Sequence, residues 1–270
     1  MKNTIFKPLL MLACAFMINC SVMQTSTIAQ ELACWFVPGF DPAKAIVITE
    51  ALSQGSGIRL KLKLAATYPE MFAALADKQE ALVYAGSFAA ALLTARGLAV
   101  PMAQKIDGKE LYSGVLVFPK GENPVALLRD FPKEISYAVG ASSGESCAKA
   151  ATGGMAMIGV REHAVALAAV KVGKAKAAMV KNLWWESNKK SYPDYEMYEV
   201  PEISLPRNPD NILMASSSIS DTNRSTFTKV AIASAKAFNA NEMKPLDAKD
   251  LDFPLALMQK GGIDPKTYSW

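Results

Sequence analysis

Histidine is almost missing from this 270-residue chain, with His163 its single example. Cysteine is scarce too: of four, Cys14 and Cys20 fall in an apolar N-terminal stretch, and only Cys34 and Cys147 lie beyond it. No His/Cys set of the kind that holds zinc or copper can be drawn from so few ligands. With no second histidine and no cluster of metal-ligating residues, the sequence offers little from which to build a nucleophile–base pair. Neither enzymatic catalysis nor a cofactor is expected. An excess of one charge is also lacking, since 29 Lys and Arg face 25 Asp and Glu. So small a surplus creates no field to hold nucleic acid or a membrane surface. The longest apolar run, "LLMLACAFMI", has ten residues, about half of what crosses a bilayer.

That run belongs to a secretory pattern. "MKNTIFK" supplies Lys2 and Lys7 without an acid, the apolar run follows, and "TIAQ" offers a small-residue cleavage site at Ala29. A lipoprotein anchor on Cys14 or Cys20 fits less well, because Met11 and Met17 stand three residues before them and Asn19 directly precedes Cys20. A signal peptide over residues 1–29 is therefore expected, with export to the periplasm and no membrane insertion of the mature chain. Cleavage would leave 27 bases and 25 acids. In an oxidising compartment Cys34 and Cys147 can pair as a disulfide or stay as two buried thiols.

The remainder alternates between strand and helix signals. "LACWFVPG" is a buried strand, "DPAKAIVITEALSQGSG" a helix with Asp41 as N-cap and Pro42 at its first position, and "IRLKLKL" a half-exposed strand by its period of two. "YPEMFAALADKQ" reads as helix, "ALVYAG" as strand, and "SFAAALLTARG" as a helix capped by Ser87. "AVPMAQK" and "ELYSGVLVFP" flank "IDGK", whose Asp-Gly pair predicts a hairpin. A second set follows: "PVALLRDF" (helix), "KEISYAVG" (strand), "SGESCAKAA" (helix), "REHAVALAAVKVG" (helix) and "AKAAMVKN" (strand). "NLWWESNKKSYPDYEMYEV" is irregular and aromatic, "NPDNILMASSSI" a returning strand, and "DTNRSTFTKVAIASAKAF" a long helix. The tail "LDFPLALMQKGGIDPKTYSW" is short-helical or extended. Two α/β units predict a two-lobed α/β fold, with 30–112 plus 206–270 as lobe 1, 113–205 as lobe 2, and a cleft between them. Cys34 and Cys147 then fall in different lobes, which favours free thiols.

"VGASSGESCAKAA" is the stretch on which function turns. The first amides of a helix have no intrahelical acceptor and carry about half a positive charge, so Ser142, Ser143 and Gly144 can cradle an oxyanion. The spacing Ser142-x-x-Glu145 also matches a capping box, in which the helix satisfies itself. Both readings stand on the sequence.

Here the chain resembles the phosphonate/phosphite-type periplasmic binding proteins of ABC importers, of the type II periplasmic-binding fold. The likeness is carried in order by "TYPEMFAALADKQEALVYAGSFAAALL", "DGKELYSGVLVFPKG", "VGASSGESCAKA" and "EHAVALAAVKVGKAKAAMV". It implies ligand contacts from Tyr68, Tyr84, Ser87, Ser142, Ser143, Gly144 and His163. Each also has a plainer use: packing for Tyr68 and Tyr84, capping for Ser87, a solvated or capping helix start for His163. Two departures matter. Glu145 follows the glycine where an apolar residue is usual, and "AMVKN" places Lys181 where aminophosphonate binders carry an acid. Lysine repels an amine and attracts an anion; the alternative is a solvated strand end. Some members of the superfamily sense arsenic oxyanions with a thiol, a role Cys147 could take instead of simple burial. The expected function is capture of a small oxyanion without an amine, delivered to an ABC permease. The rival is an accessory protein that docks a periplasmic sensor or redox partner without tight ligand binding.

Overall fold

The computed structural model of the protein describes residues 31–270; the expected signal peptide, 1–29, lies outside the described residues. The first lobe begins β1 (Leu32–Phe36), α1 (Pro42–Ser56), β2 (Leu60–Leu64), α2 (Tyr68–Ala76), β3 (Ala81–Ala85), α3 (Ser87–Ala95), β4 (Ala99–Ile106) and β5 (Leu111–Tyr112). The chain then builds β6 (Gly114–Pro119), α4 (Pro124–Asp130), β7 (Ile135–Ala138), α5 (Cys147–Ala151), β8 (Ile158–Val160), α6 (His163–Lys171), β9 (Ala177–Lys181), α7 (Asn182–Asn188) and β10 (Tyr195–Tyr198). It returns through β11 (Asn208–Pro209), β12 (Ile212–Ser216), α8 (Asp221–Ala233), β13 (Glu242–Pro245) and α9 (Asp252–Lys260).

Two sheets organise these elements. One has the order β13-β4-β12-β3-β1-β2 and the other β10-β6-β9-β7-β8. Within each, three neighbouring strands are parallel: β2, β1 and β3 in the first, β9, β7 and β8 in the second. Every residue of β1, β3 and β12 is buried, as sheets covered on both faces demand. Helix α3 shows why its sequence is almost all alanine and leucine: Ser87 through Leu93 are all buried, and a helix surrounded on every side has no place for a polar stripe.

Several local expectations give way to tertiary contacts. The Asp-Gly turn forms no hairpin. β4 pairs with β12 and β13, β5 with β11, and β6 with β9 and β10; only a lone Asp107–Lys109 bridge joins across the turn. The strands flanking it belong to different sheets, so turn chemistry alone could not pair them. "IRLKLKL" alternates imperfectly: Leu60 is buried but Leu64 is 42% exposed, because β2 is an edge strand. The aromatic stretch holds helix α7 and strand β10 rather than irregular chain, and β8 and β13 are strands that no local pattern announced. In the tail, α9 packs on both lobes. Leu257 joins the core of the second lobe with Ile135 and Met179, whereas neighbouring Met258 joins that of the first with Phe88 and Leu93.

Candidate functional site

The parallel strands of both lobes point their carboxyl ends at the seam, where ligands of such sheets bind. From β3 the chain passes Gly86 into Ser87; from β7 it passes Gly140 into Ser142; from β9 it ends on Lys181. The two-stranded ladder β5–β11, Tyr112 opposite Asn208 and Leu111 opposite Pro209, carries the chain between the lobes beside them.

Residues 142–146 form a single wide π-helical turn ahead of α5. Its packing is set by glycine. A Cβ on Gly144 would lie 2.6 Å from the Ala138 carbonyl oxygen, and one on Gly114 would lie 2.5 Å from that of Ser143. The turn is thus pressed onto β6 and β7 at van der Waals contact, and Ser142, Ser143, Glu145 and Ser146 are all buried. No backbone or side-chain acceptor among the described residues takes the N–H of Ser142 or Ser143.

The capping box does not form. Ser142 instead accepts a hydrogen bond from the Ser87 hydroxyl of the other lobe at 3.0 Å, and Ser87 is 2.6 Å from the Tyr112 hydroxyl. Ser87 is accordingly not a cap either: Gly86 is the N-cap of α3 and Ser87 is its first residue, with no capping bond. Glu145 turns to other partners. Its carboxylate accepts from Gly140 N–H at 2.8 Å and from the Tyr268 hydroxyl at 3.1 Å, and lies 3.5 Å from Lys149 Nζ. A buried carboxylate with these donors is satisfied without the helix start.

Ser143 reaches His163 Nε2 at 3.5 Å. The histidine is half-buried and is not a cap, since Glu162 is the N-cap of α6. Burial first, and then the Lys181 charge, bring its pKa from 6.5 down to about 4, so the ring is neutral at pH 7, and its Nδ1 has no partner. Lys181 is not a solvated strand end. Its ammonium forms an ion pair with Asp210 at 2.9 Å and sits 4.2 Å above the Tyr112 ring. Burial raises the pKa values of Tyr84 and Tyr112, with the Asp210 carboxylate adding to both and the Ser87 hydrogen bond opposing the rise at Tyr112. The Tyr84 hydroxyl is buried without a partner, while its ring packs against Phe36, Phe40 and Phe238. Ser87, Ser142, Ser143, His163 and Lys181 therefore converge on one polar cluster that also holds Tyr112 and Asp210, whereas the Tyr84 ring lies in the apolar core of the first lobe.

Tyr68 stands apart. It is stacked on Trp270 at 3.8 Å between ring centroids and 9° between planes, beside a cavity of about 890 Å³ lined by Thr67, Val139, Arg161 and Glu162. Cys34 and Cys147 are both free and buried, and burial pushes each thiol up to about 12. Cys147 is thus an inert packing residue at neutral pH, not a sensing thiolate.

Local reading missed Asp210, Glu145's true partners, and the two tail aromatics Tyr268 and Trp270. Tyr112 had a signal, its place in the "Y-x-G-V" crossing strand. Asp210 had none. It stands in "NPDN" 29 residues after Lys181, and only the crossing of β11 brings the two together. Among the described residues no group of three or more His, Cys, Asp and Glu could hold a metal ion. No helix there is long and apolar enough to cross a membrane.

Comparison with known proteins agrees with this architecture. Among solved structures, PhnD1 from Prochlorococcus marinus in complex with methylphosphonate superposes with a TM-score of 0.64 at 15% identity, covering 86% of this chain and 98% of that one. XAC2383 from Xanthomonas citri bound to ATP gives 0.64 at 13%, covering 86% and 96%. The binding-protein component PA3383 of a Pseudomonas aeruginosa ABC phosphonate transporter gives 0.60 at 14%, covering 85% and 87%. No curated protein matches significantly. The family described as "ABC transporter, phosphonate, periplasmic substrate-binding protein" matches residues 43–233, most of the chain. The two-lobed α/β protein described above is a member of that family of periplasmic substrate-binding proteins of phosphonate ABC transporters.

Proposed function

We propose that this protein captures a small oxyanion without an amino group, of the phosphonate, phosphite or phosphate kind, in the cleft between its lobes and presents it to an ABC permease. One observation carries the reading. The Ser142 hydroxyl faces the other lobe, not the outside, since it accepts a hydrogen bond from Ser87 across the seam, and Ser143 stands beside it facing His163. Opening the lobes would part those hydroxyls and admit an anion, and reclosing would bring Ser87, Tyr112, Ser142 and Ser143 onto it as donors, with the Gly144 backbone close by. Tyr84, His163 and Lys181 complete the proposed set, and Tyr68 covers the mouth. Binding needs only hydrogen bonds and dipoles, so no bond of the ligand breaks. The absence of an amine follows from Lys181, which fills the position of an acid with an ammonium. Methylphosphonate, the ligand of PhnD1, likewise has none.

A second reading keeps the fold for docking a periplasmic sensor or redox partner without tight ligand binding. The Lys181–Asp210 pair favours it, because the one lysine of the cluster is already neutralised. A thermal-shift series with methylphosphonate, phosphite, phosphate and sulfate separates the two. A ligand that binds only the folded protein at a hundredfold excess over its Kd adds about 2.7 kcal/mol of stability. The oxyanion reading requires at least one such shift, and requires the Ser142→Ala/Ser143→Ala double variant to abolish it. No shift with any anion leaves the docking reading; a shift that survives the double variant moves the site elsewhere.

A further inference from the structure

The C-terminal segment after α9 runs across the seam with Tyr268 and Trp270 half-buried against both lobes. It is fixed to the first lobe by Arg96, whose Nε donates to the Pro265 carbonyl at 2.8 Å and whose Nη2 donates to that of Tyr268. Phe88 of α3 supports both tail rings, with centroids 5.2 Å from Tyr268 and 5.5 Å from Trp270. From that anchorage the tail reaches over the seam. The Tyr268 hydroxyl donates to both oxygens of Glu145 in the second lobe. The Trp270 ring lies on Tyr68 and against Gly140, where a Cβ would come within 2.5 Å of the indole. Gly140 also has φ +71°, so glycine is required there twice over. Just before the tail, Gly261 is pressed onto α5, with an added Cβ 2.8 Å from Lys149 Cβ.

We infer that residues 264–270 are a built-in strap that holds the two lobes closed without ligand, with Trp270 seated over Tyr68 at the cleft mouth. The lobes also meet at the Ser87–Ser142 hydroxyl pair, at the Lys181–Asp210 ion pair and through α9, which packs into both cores. To these the strap adds a hydrogen bond to a buried carboxylate and the packing of two half-buried aromatic rings across the seam. Entry of any ligand to the polar cluster then requires the strap to swing off Tyr68 and Glu145 while Arg96 keeps its root in place. The inference does not rest on the oxyanion reading, because closure is measured on the ligand-free protein.

The test compares the full protein with Tyr268→Phe, Trp270→Ala and a deletion of residues 264–270, using Lys266→Ala as an exposed tail control. Small-angle scattering reports the radius of gyration, and hydrogen exchange reports protection of the amides from 139 to 147. The strap predicts a larger radius and about tenfold faster exchange in that stretch for the deletion. The two point variants should show intermediate effects, and Lys266→Ala none. Should the deletion fail to fold, the point variants decide. Unchanged radius and exchange in Tyr268→Phe and Trp270→Ala would falsify the strap. Opening accompanied by tighter methylphosphonate binding supports both strap and oxyanion capture; opening with no binding supports the strap and counts against oxyanion capture.

Discussion

At the scale of single residues, spacing within the turn 142–146 decides more than chemistry does. Ser142-x-x-Glu145 has the pattern of a capping box, yet Glu145 finds Gly140 and Tyr268 and Ser142 finds Ser87. Glycine at 144 permits this. An alanine there would place its Cβ 2.6 Å and 2.9 Å from the backbone oxygen and nitrogen of Ala138, atoms that cannot swing aside. Gly144→Ala should cost about 1–3 kcal/mol in urea unfolding, and a midpoint equal to that of the parent protein would show that the turn is looser than described. His163 gives a second prediction. The unfolded chain takes up a proton near pH 6.5 that the folded ring refuses until about pH 4. Stability from this group is therefore complete above pH 6.5 and declines as pH falls toward 4, by at most about 3 kcal/mol. His163→Gln should flatten the plot of urea midpoint against pH in that window. An unaltered slope would assign the acid sensitivity to other groups.

At the scale of elements, α9 shows what a local pattern leaves open. "DFPLALMQK" reads readily as a short helix, but nothing in it tells which sheet it covers. It covers both, with Leu257 2% exposed in the second lobe's core and Met258 fully buried in the first's. Each truncation to alanine should cost about 2–5 kcal/mol, and the damage should be local. Leu257→Ala is expected to speed amide exchange in β7 and α5, and Met258→Ala to speed it in α3. Identical exchange maps from both variants would mean that α9 stabilises the molecule as one block. The same limit of local reading explains the hairpin that fails to form at Asp107-Gly108. Turn chemistry brings chain directions about, but pairing partners are chosen by which sheet has a vacant edge. β8, three residues long, and α7, within an aromatic stretch, were hidden because so short a run carries no period to detect.

For the whole molecule, the two-lobed α/β architecture was legible because it follows from an alternation of strand and helix signals along the whole chain, each reinforced by its neighbours. A thermal-shift response to an oxyanion that disappears with Ser142→Ala/Ser143→Ala is the prediction proper to this scale, since it needs both lobes at once. Sequence by itself determined most of the succession of elements and the placing of Ser87 and Ser142 after strand ends, because periodicity is a property of neighbouring residues. Tertiary structure alone decided that Lys181 meets Asp210, that Tyr268 holds Glu145, and that Trp270 covers Tyr68. These partners are 29, 123 and 202 positions apart. Contacts over such distances arise only when packed sheets and a hydrophobic core bring remote segments together, and no local pattern encodes them.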